Sequence, residues 1–292
     1  MRVSVSAVTL VAMLLLSLLS CASSPVHVSQ TPVTTGQSPP IQSSKGKAFS
    51  ITYIGNEGVL ISSGQKQVLI DGLHREYKPA YAFPPPDLLL SLELARPPYD
   101  EIDLVLVSHL HLDHFHAESV GLHLKNNRGT QLVSSTQIVD LLRKQYSDFS
   151  KIENRVRDVT PTWKTKSAFS AGGIDLQVLG LRHGSAQFSW IQNLGHLIEI
   201  DGRKFLHLGD ADMTDENFAS FRLHEEGIDV AFIPYWFLLS ENGRALVRKQ
   251  FNPKTVIAVH VPPAEAEKLS AEIHKNYPGA IVFTKIMETR SF

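Results

Sequence analysis

The chain has 292 residues, 43% of them hydrophobic, with 28 basic and 29 acidic side chains and a formal net charge of −1. That length and apolar content suit one large α/β unit with a substantial core and exclude a small disulfide-stapled domain. The even charge balance argues against the basic field of a nucleic-acid binder, and a single cysteine, Cys21, excludes an internal disulfide, a thiolate metal cluster and a cysteine nucleophile in the folded body.

At the start, Arg2 precedes the apolar run Val8–Leu19 and then small residues, the layout of a secretory signal. The run is short of the ~20 residues that a membrane span needs. Around Cys21 the stretch "LLSCAS" resembles the bacterial lipoprotein signal, although Leu19 is bulky for the pattern. That resemblance implies a signal peptide over residues 1–20 and a lipid anchor at Cys21. With Ala22 next rather than Asp, it also implies the outer membrane, facing the periplasm. An ordinary cleaved signal and an uncleaved anchor are the alternatives. Residues 22–47 are rich in Ser, Pro, Thr and Gln without a periodic apolar face, so 21–47 reads as the anchored cysteine and a disordered tether, reaching ~30 Å as a coil.

From residue 48 to 292 the pattern becomes that of one folded domain. "FSITYI", "VLISS" and "QVLID" read as antiparallel strands joined at "NEG" and at Gly64. "HLIEI" and "KFLHL" flank Asp201-Gly202, a hairpin signal. "IDVAFI", "TVIAVH" and "AIVFT" read as buried strands, with Tyr235, Trp236 and Phe237 closing the first of them. Helical patterns cover Thr136–Gln145, Asp215–Glu225 after Thr214, Arg244–Gln250 and Ala264–Lys275. Local strand pairing followed by strand–helix alternation predicts two sheets faced by helices. The segment 72–100, aromatic and broken by prolines, reads as a lid or lipid-facing loop beside a site, or as an insertion packed on the body.

The chemistry concentrates in "SHLHLDHFH", Ser108 to His116, which follows the apolar run "IDLVLV". The strand ends at Ser108, and α/β proteins gather their sites at the carboxyl ends of strands. His109 and His111 can point the same way, and Asp113 and His114 follow at the entry to a helix. Three further metal-ligand residue types end apolar runs downstream: His183 in "VLGLRHGS", Asp210 in "FLHLGDAD" and His260 in "VIAVHVPP".

His109-x-His111-x-Asp113-His114 resembles the H-x-H-x-D-H signature of the metallo-β-lactamase superfamily, and His183, Asp210 and His260 occur in that family's order. The opening "YIGNEGVLISSGQKQVLIDG" also resembles its first strands, so the likeness runs from about Ala48 to Phe292. It implies a four-layer αββα sandwich, two β-sheets flanked by helices. It further implies one metal on His109, His111 and His183, a second on Asp113, His114 and His260, and Asp210 bridging both. Imidazoles and carboxylates without cysteine suit two zinc ions, with manganese or iron as alternatives. His116 is expected beside the ligands or in solvent, and His207 in the core. Asp212 is an alternative bridge, but Gly209-Asp210 matches the family turn better. Asp71, His123 and His224 are left without a role.

The resemblance implies a dinuclear hydrolase of the bacterial envelope, lactonase-like or phospholipase D-like, cleaving an ester or phosphodiester of a small molecule or lipid. A hydroxide held between the metals would be its nucleophile, oriented by Asp113. Members that hydrolyse β-lactams do not usually combine the complete motif with a bridging Asp, so Asp210 argues against that activity. A sulfur dioxygenase-type iron enzyme and a non-catalytic metal-binding lipoprotein are the other readings.

Overall fold

A computed structural model describes residues 48–292; the expected signal peptide, Cys21 anchor and tether lie outside the described residues. Fourteen strands build two seven-stranded sheets. The first sheet holds β1 (Phe49–Gly55), β2 (Gly58–Ser63), β3 (Lys66–Ile70), β4 (Leu104–Leu106), β5 (Gln131–Ser134) and β6 (Val156–Asp158). The second holds β7 (Lys166–Ala171), β8 (Ile174–Leu181), β9 (Asn193–Ile200), β10 (Arg203–His207), β11 (Val230–Pro234), β12 (Thr255–Val259) and β13 (Ile281–Val282). Strand neighbours follow chain order in both sheets, except that the last strand, β14 (Thr289–Ser291), returns to the first sheet beside β1.

Each sheet starts with antiparallel pairs and continues parallel: β3 to β6 in the first, β10 to β13 in the second. The predicted Asp201-Gly202 hairpin forms, with Ile200 opposite Arg203 and φ values of 50° and 74° at the two turn residues. Both central positions of this tight turn need positive φ, and Asp-Gly accommodates it.

Three apolar clusters separate the layers. Ile51, Ile61, Val68 and Leu106 of one sheet meet Val178, Ile198, Phe205 and Ile257 of the other. Outside the first sheet, Val105 and Leu132 pack on α1 (Pro86–Glu93), α2 (Ala117–Asn126) and α3 (Thr136–Gln145) through Leu92, Val120, Leu124, Ile138 and Leu142. Outside the second, Leu206, Ala231 and Ala258 pack on Phe218, Phe237, Phe251 and Leu269. The four-layer αββα sandwich is therefore present.

Local departures from the sequence reading have physical causes. Tyr235, Trp236 and Phe237 do not prolong β11; they form the short helix Tyr235–Leu239. Asp215–Glu225 is not one helix but a turn of α-helix and two 3-10 turns, separated by Arg222 at φ 54°. Side chains spaced to bury Phe218, Phe221 and Leu223 together cannot lie on one helical stripe. The third pattern begins earlier than expected, at Glu241, because Ser240 caps it by accepting from Gly243 N at 2.9 Å. Segment 72–100 divides between both expectations. Leu73, Leu92 and Tyr99 are buried against the first sheet's helices, while Tyr81 reaches the site described next.

Candidate metal centre

Four strands end at one edge of the sandwich and deliver the seven candidate ligands. The loop after β4 supplies His109, His111, Asp113 and His114; His183 follows β8, Asp210 follows β10 and His260 follows β12. Their polar atoms fall into two groups, His109, His111, His183 and Asp210 in one, Asp113, His114 and His260 in the other.

Asp210 lies between them. Its Oδ2 is 3.7 Å from His109 Nε2 and 3.5 Å from His183 Nε2, whereas its Oδ1 is 3.4 Å from His114 Nε2 and 3.5 Å from His260 Nε2. Within the first group His111 Nδ1 is 3.0 Å from His109 Nε2 and 3.3 Å from His183 Nε2. Within the second, Asp113 Oδ2 is 3.6 Å from His114 Nε2 and 3.4 Å from His260 Nε2. Ligands held at ~2.0–2.1 Å around a tetrahedral divalent ion are spaced by ~3.3 Å, so both groups have the dimensions of a coordination shell.

The electrostatics fit a cation as well. Burial alone would strip protons from His114, but Asp210, Asp71 and Asp113 outweigh it and raise its pKa to about 10. His260 is also raised, against burial, by Asp210 and Asp113. Burial likewise opposes ionisation of Asp210, yet His260 and His114 hold it well below the usual carboxylate range. Without an ion, the centre keeps its positive charge as protons on imidazoles; a divalent cation would replace them. His109 is already neutral, held far below the ordinary histidine value by burial and then by His114.

A shell of supporting groups aims the first-sheet residues. Asp71, at the end of β3, accepts from Ser108 N at 2.7 Å and from His114 Nδ1 at 2.9 Å, leaving Nε2 of that ring for the centre. Ser108 Oγ donates to Asp71 and lies 3.0 Å from His109 Nδ1, from which it accepts. Asn56, in the β1–β2 turn, donates from Nδ2 to Asp113 Oδ2 at 2.9 Å, and its carbonyl accepts from His260 N at 3.0 Å. Neither Asn56 nor Ser108 was singled out by the sequence reading, and Asp71 was left without a role. Asp71 carried the usable signal, since it ends the apolar run "QVLID" as the ligands end theirs.

Behind this shell Glu57 is fully buried with no hydrogen bond to either carboxylate oxygen; His207 Nε2 lies 3.5 Å from one of them. Burial, then the charge of Asp210, pushes the Glu57 pKa up to about 8, which makes it a neutral acid at pH 7.

The weaker candidates fall outside the two groups. His116 caps α2, its Nδ1 accepting from Ser119 N at 3.4 Å. His207 is buried in β10, where its Nδ1 accepts from Gly209 N at 3.2 Å. Asp212 accepts from Thr214 Oγ1 and leaves the central place to Asp210. His123 is buried, donating from Nδ1 to Leu92 O at 2.6 Å, and His224 is exposed beside Glu225.

Three aromatic rings stand around the centre. Phe188 meets His111 and His183 edgewise at 4.7 and 5.1 Å, Tyr81 meets His260 at 5.3 Å, and Trp236 meets the same ring at 5.2 Å. Phe188 had no sequence signal, and its 3-10 turn, Ala186–Phe188, brings it over the ligands.

Comparison with known proteins gives a consistent picture. A family model described as a β-lactamase superfamily domain matches residues 83–282, a stretch that contains all seven candidate ligands. A UPF0173 metal-dependent hydrolase from Pelotomaculum thermopropionicum is 26% identical over 224 residues, covering 73% of this chain and 84% of the relative. Among solved structures, Igni18, a metallo hydrolase from Ignicoccus hospitalis, superposes with a TM-score of 0.53 at 19% identity, over 84% of this chain and 98% of that one. CmlA, a diiron β-hydroxylase from Streptomyces venezuelae, superposes with a TM-score of 0.54 at 15% identity, over 84% of this chain and 54% of that one. A hydrolase and a hydroxylase thus share this fold, and the site must decide the chemistry.

Proposed function

The chain belongs to the β-lactamase superfamily, and from that premise we propose that it is a dinuclear metal-dependent hydrolase cleaving an ester or phosphodiester bond. The carrying observation is Asp210, which turns one carboxylate oxygen to each ligand group at 3.4–3.7 Å. The similarity to a UPF0173 metal-dependent hydrolase supports the same reading.

His109, His111 and His183 would hold one ion and Asp113, His114 and His260 the other, with Asp210 shared. Zinc fits this donor set best, with manganese or iron as alternatives. Two divalent ions so held supply Lewis acidity and a water acidic enough to serve as nucleophile near neutral pH. The chain's own residues fix that arrangement. Asp71 holds the His114 proton on Nδ1, so that Nε2 presents a lone pair. Asn56 Nδ2 donates to Asp113 Oδ2 and fixes the orientation of that carboxylate. Phe188, Tyr81 and Trp236 pack edgewise against the rings of His111 and His260 and hold them in place.

The test is metal analysis of the purified chain, with hydrolysis of bis-p-nitrophenyl phosphate and of a lactone panel, for the wild type, His111→Ala and Asp113→Ala. Two equivalents of zinc or manganese with turnover abolished in both variants is the expected result. Unchanged turnover would reject the reading, and a single iron would favour oxidative chemistry instead. The cellular setting proposed is the bacterial envelope, with a lipid anchor at Cys21 on the periplasmic side of the outer membrane. It is supported by "LLSCAS" and the apolar run before it. Labelling with palmitate should reach the wild type and not Cys21→Ser.

A further inference from the structure

Of the three rings at the metal centre, one ends in a hydroxyl. Phe188, over His111 and His183, has no polar atom, and the indole N–H of Trp236 is fixed in the plane of its ring. Tyr81 meets His260 edge to face, with centroids 5.3 Å apart and planes at 88°. A phenol can turn its proton toward an arriving oxygen without moving its ring.

That ring is fixed from several sides. Tyr81 lies on a stretch without helix or strand, residues 71–85, between β3 and α1. His116 N donates to Leu73 O at 3.0 Å and ties the start of the stretch to the end of the histidine motif. Further on, the backbone of Ala82 and Phe83 runs against Gly55, where an added Cβ would lie 3.2 Å from Ala82 O and 3.1 Å from Phe83 Cα. Gly55 precedes Asn56, which orients Asp113 and accepts from His260 N, so the residues after Tyr81 sit on the turn that braces the centre. Tyr81 N donates to Lys78 O at 3.0 Å, closing a turn, and the ring of Tyr77 stacks on that of Tyr81 at 6.0 Å, 2° from parallel. A side chain held in this way is set before a substrate arrives.

The hydroxyl itself is uncommitted. Among the described residues it has no hydrogen-bond partner, and Tyr81 is only partly buried. Asn56 Nδ2 and Ser108 Oγ, by contrast, already donate to Asp113 and Asp71. Burial raises the Tyr81 pKa above the ordinary tyrosine value, the charge of Asp113 raises it further, and that of His260 opposes them. Both charges belong to the second ligand group, so the phenol oxygen lies within electrostatic reach of that group and keeps its proton at neutral pH.

We propose that Tyr81 is a substrate-contacting residue, its hydroxyl donating a hydrogen bond to the substrate oxygen that gains negative charge during hydrolysis at the second ligand group. This rests on the hydrolase reading above and adds to it a donor supplied by the chain itself. The experiment uses the zinc-loaded full chain, wild type and Tyr81→Phe, a substitution that keeps the ring against His260 and removes only the hydroxyl. Metal content, steady-state hydrolysis of bis-p-nitrophenyl phosphate and calorimetric affinity for inorganic phosphate are the readouts. The variant should keep both ions and a KM within about twofold of the wild type, because a contact made in the transition state lowers kcat and leaves KM alone. Its kcat should fall ~100-fold. It should also bind phosphate at least ~10-fold more weakly, since phosphate already carries on its oxygens the charge that the substrate gains only in the transition state. An unchanged kcat, an unchanged phosphate affinity, or loss of metal from Tyr81→Phe would overturn the proposal. No turnover in the wild type beside weakened phosphate binding in the variant would reject the hydrolase and keep Tyr81 as an anion contact; turnover and phosphate binding equal in both proteins would do the reverse.

Discussion

The two sheets contribute to the metal centre by different means. The first sheet gives four candidate ligands within six residues, His109 to His114, each braced by side-chain hydrogen bonds from Asp71, Ser108 or Asn56, or by contact with a neighbouring ring. The second sheet gives three from separate strand ends. Those are set chiefly by the backbone: His260 adopts φ 63°, Gly209 before Asp210 adopts φ 54°, and His183 forms a bridge with Ala211, while its Nδ1 has no hydrogen-bond partner. A dense motif can rely on side chains reaching one another, whereas scattered positions must be placed by the strands that carry them.

Asp210→Ala should have the largest effect, because it removes the one carboxylate that faces both groups. Loss of at least one metal equivalent and a fall in turnover of ~1,000-fold or more are expected, read by metal analysis and steady-state kinetics. Retention of both ions would mean that the two halves are independent. Next comes Asp71→Asn, which weakens only the hydrogen-bonded half. Metal affinity or activity should drop ~10–100-fold, and competition with a chelator should show the second-group ion leaving first.

Gly209→Ala probes the half set by backbone. An added Cβ would lie 2.6 Å from Asn193 Oδ1 and 2.8 Å from Ser108 Cβ, at a positive φ. The cost should be about 2 kcal/mol, a fall in Tm of ~4–8 °C; an unchanged Tm would show that the turn yields.

The smallest effect concerns acid. Burial lowers the pKa of His196, inside β9, to about 3, while the unfolded chain titrates near 6.5. The unfolded state therefore binds the extra proton between those values, so its contribution to stability is complete above pH 6.5 and declines as the pH falls toward 3, by ~2 kcal/mol at pH 5. His196→Leu should flatten the dependence of Tm on pH between 7 and 5. An equal slope in both proteins would place the acid sensitivity elsewhere, with buried His74 and His123, lowered by burial to about 4, next to be substituted.

That the seven candidates would converge was legible because the motif and its three distant partners follow apolar runs in the order of the family the chain resembles, and strand ends are where side chains of an α/β body meet. The sandwich was legible for a related reason, the change from paired strands to strand–helix alternation. Asn56 and Ser108 were not, since a turn asparagine and a strand-end serine look ordinary until a partner over fifty residues away, or a neighbouring strand end, is in place. Tyr235-Trp236-Phe237 misled because aromatic residues favour strands in general, while here Phe237 fills the core beneath the second sheet's helices. The short strands β6 and β7, partly exposed at sheet edges, carry too few buried side chains to announce themselves.

Asn56 connects the beginning of the folded body to its end, through Asp113 on one side and His260 on the other. Nearly the whole domain must therefore be available before β12 can bring His260 to that turn. Only the second ligand group includes His260, so that group is incomplete until β12 docks, whereas the four members of the first are all in place once β10 has formed. In a refolding experiment, uptake of the second metal equivalent should lag behind recovery of secondary structure and coincide with the packing of Trp236 against His260.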